Sequence, residues 1–224
     1  MPERNRVTPL GEVVAVALRG AWTGNRGVIH GSAADADDPH RRTGHDIVRS
    51  HTTTAWIICA LSYRDEVAPR WEPGRWTAIF FHDEAVALAA GHRPCARCRR
   101  PAFTAYRDAV RAGSGDPGLG AGQLDARLHA ERRDRTTRRR RWHRAPWTDL
   151  PDGAFVLEGG TPRLVLGDEV VTWGRQGYAA TAARPRSGWA TVVTPPTSLV
   201  ALRAGYPVQI GARPGRAGPS VPGA

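Results

Sequence analysis

Cys95 and Cys98 stand three positions apart, around Ala96 and Arg97. A Cys-x-x-Cys turn can bring two thiolates within about 2.3 Å of one tetrahedral Zn²⁺, so metal binding is the first chemistry to weigh. A redox dithiol uses the same spacing, but it follows a strand and opens a helix in a thioredoxin-like pattern. Here the pair comes after a helix-forming run and the turn Gly91-His92-Arg93-Pro94, which favours the metal. The chain has three cysteines, an odd number. The early apolar stretch Val13–Leu18 is too short for a signal-peptide core, so a disulfide scaffold is not expected.

The elements that must position this pair are legible on both sides of it. Thr52–Tyr63 (TTTAWIICALSY) is rich in β-branched and aromatic residues and predicts a buried strand, with a second strand over Arg75–Phe81. Asp83 can cap the helix that runs through Ala90 and stops at Gly91, a residue suited to the left-handed C-terminal position. Pro101 opens a second helix with Phe103, Tyr106 and Val110 on one face, and a third runs from Gln123 to about Arg133.

The run Ile79-Phe80-Phe81-His82-Asp83-Glu84-Ala85-Val86-Ala87-Leu88-Ala89-Ala90-Gly91-His92-Arg93-Pro94-Cys95-Ala96-Arg97-Cys98-Arg99 resembles the N-terminal metal-binding domain of the Ada DNA-repair family. That domain has an aromatic strand end, an Ala-rich helix closing in A-A-G, and then R-P-C-x-x-C-R. The resemblance is dense over about twenty residues and faint outside them, and covers residues 55–100 only. It implies a zinc site in a small α/β domain that contacts the DNA backbone. In the family four cysteines hold the zinc, an earlier C-x-x-x-C pair and the later C-x-x-C, and one thiolate of the earlier pair accepts a methyl group from a methylphosphotriester. Carried over by position, Cys95 and Cys98 match the later pair, and Cys59 matches one member of the earlier pair and is the candidate acceptor. The partner position four residues on is Tyr63, so the family's fourth thiolate is missing. A neutral fourth ligand would leave Cys59 less nucleophilic than a four-thiolate cluster does.

A closed zinc site needs a fourth donor. Among eight histidines, His30, at the end of a short strand Val28–His30, is the first choice and His51 the second; His92 lies too close to Cys95 to bind without strain. A zinc-deaminase reading pairs His82-Asp83-Glu84 with Pro94-Cys95-Ala96-Arg97-Cys98. Only nine residues separate Glu84 from Pro94, too few for the strand that must lie between two helix-starting motifs, and His129-Ala130-Glu131 follows the cysteines in the wrong order. Glu84 is expected as a first-turn helix acid and His129 as a helix-surface residue.

Charge narrows the partner class. All 32 basic residues are Arg, against 21 acids, for a net charge of +11. Such an excess favours a polyanion, and Arg forks bind phosphate oxygens in pairs; a genome biased toward Arg codons accounts for the same composition. Candidate contacts to nucleic acid, DNA above all, are Arg93, Arg97, Arg99 and Arg100 around the cysteine pair and Arg26 in the turn Asn25-Arg26-Gly27. The run Glu131–Arg144 adds Arg138, Arg139, Arg140 and Arg141, with Trp142 embedded; a solvated linker is the plain alternative. No apolar run approaches the length of about 18 residues that a membrane span needs, so a cytoplasmic protein without a membrane partner is expected.

These readings predict an α+β chain. A zinc-bearing α+β domain spans 1–112, a helical Arg-rich connector 113–147 and a small β-rich subdomain 148–211, followed by a disordered tail over 212–224. Strands are expected at Ala154–Leu157, Arg163–Trp173 and Gly188–Thr194, with a short helix Thr197–Ala204 after Pro195-Pro196. Ser32–Asp46, rich in Asp, reads as an exposed loop. No catalytic triad, phosphate-binding loop or carboxylate pair stands out. The function expected is that of a zinc-binding, DNA-binding protein of repair or processing; the alternatives are a zinc-stabilised interaction module and a methyl acceptor.

Overall fold

The computed structural model of the chain describes residues 2–31, 44–69, 71–134, 136–137 and 139–213. The expected tail beyond 213, most of the Ser32–Asp46 loop, and Arg138 lie outside them. The α+β class is observed. In chain order the first part runs β1 (Arg4–Val7), β2 (Val13–Ala15), β3 (Trp22–Asn25), β4 (His30–Gly31), β5 (Asp46–Ile47), β6 (Ile57–Cys59), β7 (Ser62–Tyr63), β8 (Glu66–Val67) and β9 (Ile79–Phe81). Helix α1 (Glu84–Ala89), strand β10 (Arg93–Pro94) and helices α2 (Arg100–Ser114) and α3 (Ala121–Arg132) follow. The second part contains β11 (His143–Pro146), β12 (Phe155–Glu158), β13 (Thr161–Leu166), β14 (Glu169–Gly174), β15 (Gly177–Ala183), β16 (Trp189–Val192) and α4 (Pro196–Arg203).

Two six-stranded sheets result, ordered β10-β6-β3-β9-β1-β2 and β11-β16-β12-β13-β14-β15. The first is mixed: β3 lies antiparallel between β6 and β9, while β10 runs parallel to β6. Its central strands are short because the apolar runs are interrupted. Thr52–Tyr63 yields only β6 and β7, with Trp56 buried just before them, and Arg75–Phe81 pairs only at its aromatic end. The second sheet is antiparallel throughout. The expected long strand Arg163–Trp173 is broken by the turn Gly167-Asp168 into β13 and β14. The basic connector also contributes a strand, β11, against β16.

One cluster of buried side chains extends from Val7 and Phe81 through α1 and Tyr106 to Phe155, Val192 and Leu202. Helix α1 sits at its centre, which explains why all six of its residues are buried, Glu84 included. Asp83 caps it, accepting from the Val86 amide at 2.8 Å. At its far end Gly91 has φ +86°, and a Cβ there would lie 2.8 Å from Arg132 Cδ, so both conformation and space demand glycine.

The C-terminal segment closes over the start of α1. Tyr178 Oη and the Gly211 amide donate to Asp83 at 2.7 and 2.8 Å. Tyr206 Oη and the Gln209 amide donate to Glu84 at 2.7 and 3.1 Å. Glu84 is thus the first-turn acid that the sequence suggests, but two of its hydrogen-bond donors, Tyr206 and Gln209, come from more than a hundred residues away.

Candidate metal centre

Sheet register brings the cysteines together. Cys59 ends β6, opposite Thr23 of β3. Because β10 runs parallel to β6, with Pro94 beside Ile58, the chain leaves β10 next to Cys59, and the Cys95 amide donates to Ile58 O at 2.9 Å. The turn that follows lifts Cys98 back over the same spot before α2 begins. The Sγ atoms of Cys59, Cys95 and Cys98 all lie within 4.8 Å of one another. Backbone amides point at the sulfurs: Ala60 N to Cys98 Sγ and Arg97 N to Cys95 Sγ, each at 3.4 Å.

The three groups share protons rather than titrating separately. Cys95 is pushed down to about 2, first by the thiol of Cys59 and then by that of Cys98, both of which donate to it. The Cys59 thiol is pushed far up because its proton is held between Cys95 and Cys98, with burial adding to this. Cys98 is lowered by Cys59 but raised more by Cys95 and burial, so that it too ends above the ordinary range. One thiolate held by two thiols suits replacement of the bridging protons by a soft divalent cation. Tetrahedral Zn–S bonds of about 2.3 Å would set the sulfurs about 3.8 Å apart, a contraction of about 1 Å or less. The residues fit zinc.

No His, Asp or Glu joins the group among the described residues. His30 is fully buried, but its Nδ1 lies 2.6 Å from Thr77 Oγ1 and its ring packs edge-on to Trp71. The expectation of His30 as the fourth ligand therefore gives way to a core role. His51 lies against Trp56 and His129, and His92 turns into the core between Trp56 and Phe81. The three sulfurs instead border a cavity of about 170 Å³, walled by Tyr63, Glu66, Arg75, Trp76 and Arg97. Tyr63, four residues after Cys59, thus borders the site without supplying a sulfur.

The candidate phosphate-binding arginines divide in two. Arg93 is buried in a two-bond pair with Asp125 at 2.9 and 2.7 Å. Arg99 pairs with Glu84 at 2.8 Å, its guanidinium carbon 3.7 Å from the centre of the Trp22 ring. Arg26 donates to Gly11 O and His92 Nε2, and Arg140 to Ala89 O and Ala90 O. All four guanidiniums have internal partners, so a surface role does not apply to them. Arg97, Arg100, Arg139 and Arg141 are exposed. Arg97 pairs with Glu66 at 3.0 Å, both about two-thirds exposed, a contact of the kind that contributes little and exchanges readily.

Glu84, tied to Arg99, Tyr206 and Gln209, is not poised as the proton shuttle of a deaminase. Sequence reasoning did not single out the packing of Arg26 and Arg132 on Trp56, or the neighbouring pair His51 and His129. No local pattern distinguishes a buried arginine from an exposed one. No protein-family model matches the chain, and no curated protein or solved structure matches it. No helix among the described residues is long and apolar enough to cross a membrane.

Proposed function

We propose that this is a zinc-binding protein of nucleic-acid repair or processing, in which Cys59, Cys95 and Cys98 hold one ion. The observation that carries the metal is the convergence of three sulfurs, from two separate stretches of chain, on one point. Zinc, when bound, would supply charge for three thiolates and lock β6 to the turn before α2. With three protein donors among the described residues, a fourth position is left for water or a substrate group, and the cavity beside the sulfurs gives such a group room. The nucleic-acid part rests on the net charge of +11 and on exposed arginines beside the cysteines and in the basic run.

Metal analysis and a salt titration test both parts. The expected zinc content is one ion per chain, lost in Cys95→Ser. If Arg97, Arg100, Arg139 and Arg141 each meet one phosphate, duplex affinity falls with a log–log slope near −3.6, or about 100-fold between 50 and 200 mM salt. Absence of zinc would overturn the first part, and absence of DNA binding at 50 mM salt the second, leaving the interaction-module reading.

The cavity against Cys59 favours a second reading, transfer of a methyl group to that sulfur. With its proton displaced by a bound metal ion, Cys59 as a thiolate would attack the methyl carbon of a phosphotriester, an S–C bond forming as the C–O bond breaks and the phosphodiester leaves with the electron pair. Intact-mass measurement after incubation with methylphosphotriester DNA should show one added methyl located at Cys59; an unchanged mass removes this reading.

A further inference from the structure

Away from the cysteines, three guanidiniums crowd the C-terminal end of α1. Arg140 donates to the carbonyls of Ala89 and Ala90 at 2.9–3.0 Å, and Arg132 to those of Gly91 and Thr54 at 3.0 and 2.6 Å. Arg26 and Arg132 stack on Trp56, each guanidinium carbon 4.0 Å from the ring centre. Among the described residues no carboxylate pairs with Arg26, Arg132 or Arg140. A helix end offers about half a negative charge, and α1 is only six residues long, so it offsets only part of three positive charges; Asp125 and Glu131 act on Arg132, and Glu12 on Arg140, without pairing with them. Burial first, and then the charge of Arg140 on Arg132 and of Arg133 on Arg140, push Arg132 down to about 9 and Arg140 to about 10, yet both remain cations at neutral pH.

This positive region abuts a cavity of about 450 Å³ whose walls include His51, Thr54, His129, Arg133 and Asp134. Arg132 links the two, because its Nη2 also lies 3.0 Å from His129 Nδ1. Arginine can only donate, so His129 Nδ1 accepts and the neutral ring carries its proton on Nε2. The rings of His51 and His129 stand 5.2 Å apart. The acid in the wall stays ionised but is engaged by its own turn: Asp134 Oδ1 accepts from the Thr137 amide and hydroxyl and from the Thr136 amide, which hold its carboxyl below the usual range. Burial, followed by the charges of Arg133, His129, Arg132 and Arg26, holds His51 at about 4. Repulsion by those cations adds to burial here, and a neighbouring anion would relieve that part.

We infer that this cavity binds a phosphate group, carried by a nucleotide or by a nucleic-acid backbone, with Arg133, His51 and His129 as its contacts and the Arg26–Arg132–Arg140 cluster behind them. Two histidines and an arginine at the wall suit a tetrahedral oxyanion, which takes several N–H donors at once. The site is separate from the thiolate cavity and does not depend on the metal.

The test is an NMR titration of the His51 ring in the wild-type protein at constant sodium concentration. Inorganic phosphate, a nucleoside monophosphate and a short DNA strand serve as probes. Saturable binding is expected, with the His51 pKa rising by at least one unit in the saturated form. Arg133→Gln, which removes a charge-assisted hydrogen bond, should weaken binding about 10-fold or more. Binding of the mononucleotide as tight as that of the strand assigns a small phosphoryl ligand; binding of the strand alone assigns the backbone. No saturable shift with any probe, or unchanged affinity in Arg133→Gln, would overturn the inference. If that variant does not fold, the wild-type titration decides alone.

Discussion

Glu84→Gln should be among the most destabilising single changes in this chain. The carboxylate is 2 % exposed and serves three donors, Arg99 Nη2, Tyr206 Oη and the Gln209 amide. Glutamine keeps the shape but offers one carbonyl oxygen, and its NH₂ must face at least one of those donors. Arg99 stays stacked on Trp22, a buried cation without its anion. Breaking one side of a buried pair costs about 3–5 kcal/mol, against a total stability of about 5–15 kcal/mol for a typical domain. In urea, with a slope of about 3 kcal/mol/M, a loss of 3 kcal/mol moves the midpoint down by about 1 M. Arg99→Met alone should cost a similar amount. The double variant Glu84→Gln/Arg99→Met should be more stable than the sum of the two losses implies, because no isolated buried charge remains. A midpoint shift below about 0.3 M for Glu84→Gln, or strictly additive losses, would refute the view that this pair holds the C-terminal segment to α1.

His30→Gln should leave zinc content unchanged while lowering stability by about 1–2 kcal/mol through the lost Thr77 contact; loss of zinc by metal analysis would restore His30 as a ligand. Acid should weaken the fold between pH 6.5 and 4. His51 is held at about 4 against an ordinary 6.5, and burial first and then neighbouring arginines also lower His92 and His143. In that window the unfolded chain binds protons that the folded chain does not, so this contribution is full above pH 6.5 and lost as pH falls. His51 is only partly buried, so solvent screening holds its share to about 1 kcal/mol, and urea midpoints at pH 7, 6 and 5 should fall in step. A flat profile would contradict this account.

Much of the local structure was readable because single residues dictate it. Asp83 announces the start of α1 and Gly91 its end, and Pro101 lies in the first turn of α2 as the sequence implies. The joining of Cys59 to Cys95 and Cys98 was read from resemblance and depends physically on the parallel register of β6 and β10, which no local pattern encodes. The arginines misled for a related reason. In sequence Arg26, Arg93, Arg99 and Arg140 look like Arg97 and Arg100, and only the acceptors that folding delivers, Asp125, Glu84 and the carbonyls at the end of α1, sort them. β11 was hidden by its own basic, Pro-ended sequence, and the break between β13 and β14 by a run of valines and leucines on both sides of Gly167-Asp168.

The bonds from Tyr206, Gln209 and Gly211 to Asp83 and Glu84 span 122 to 128 positions. During synthesis, therefore, the strands around α1 emerge long before the last hydrogen-bond donors to its first turn exist, although Arg99 follows Glu84 closely. Until residue 211 has been made, two carboxylates wait in a half-built core, and the first sheet cannot reach its final packing. Such distant pairing makes for late, slow completion, and leaves nascent chains exposed to chaperones or proteases for as long as the ribosome takes to supply the closing segment.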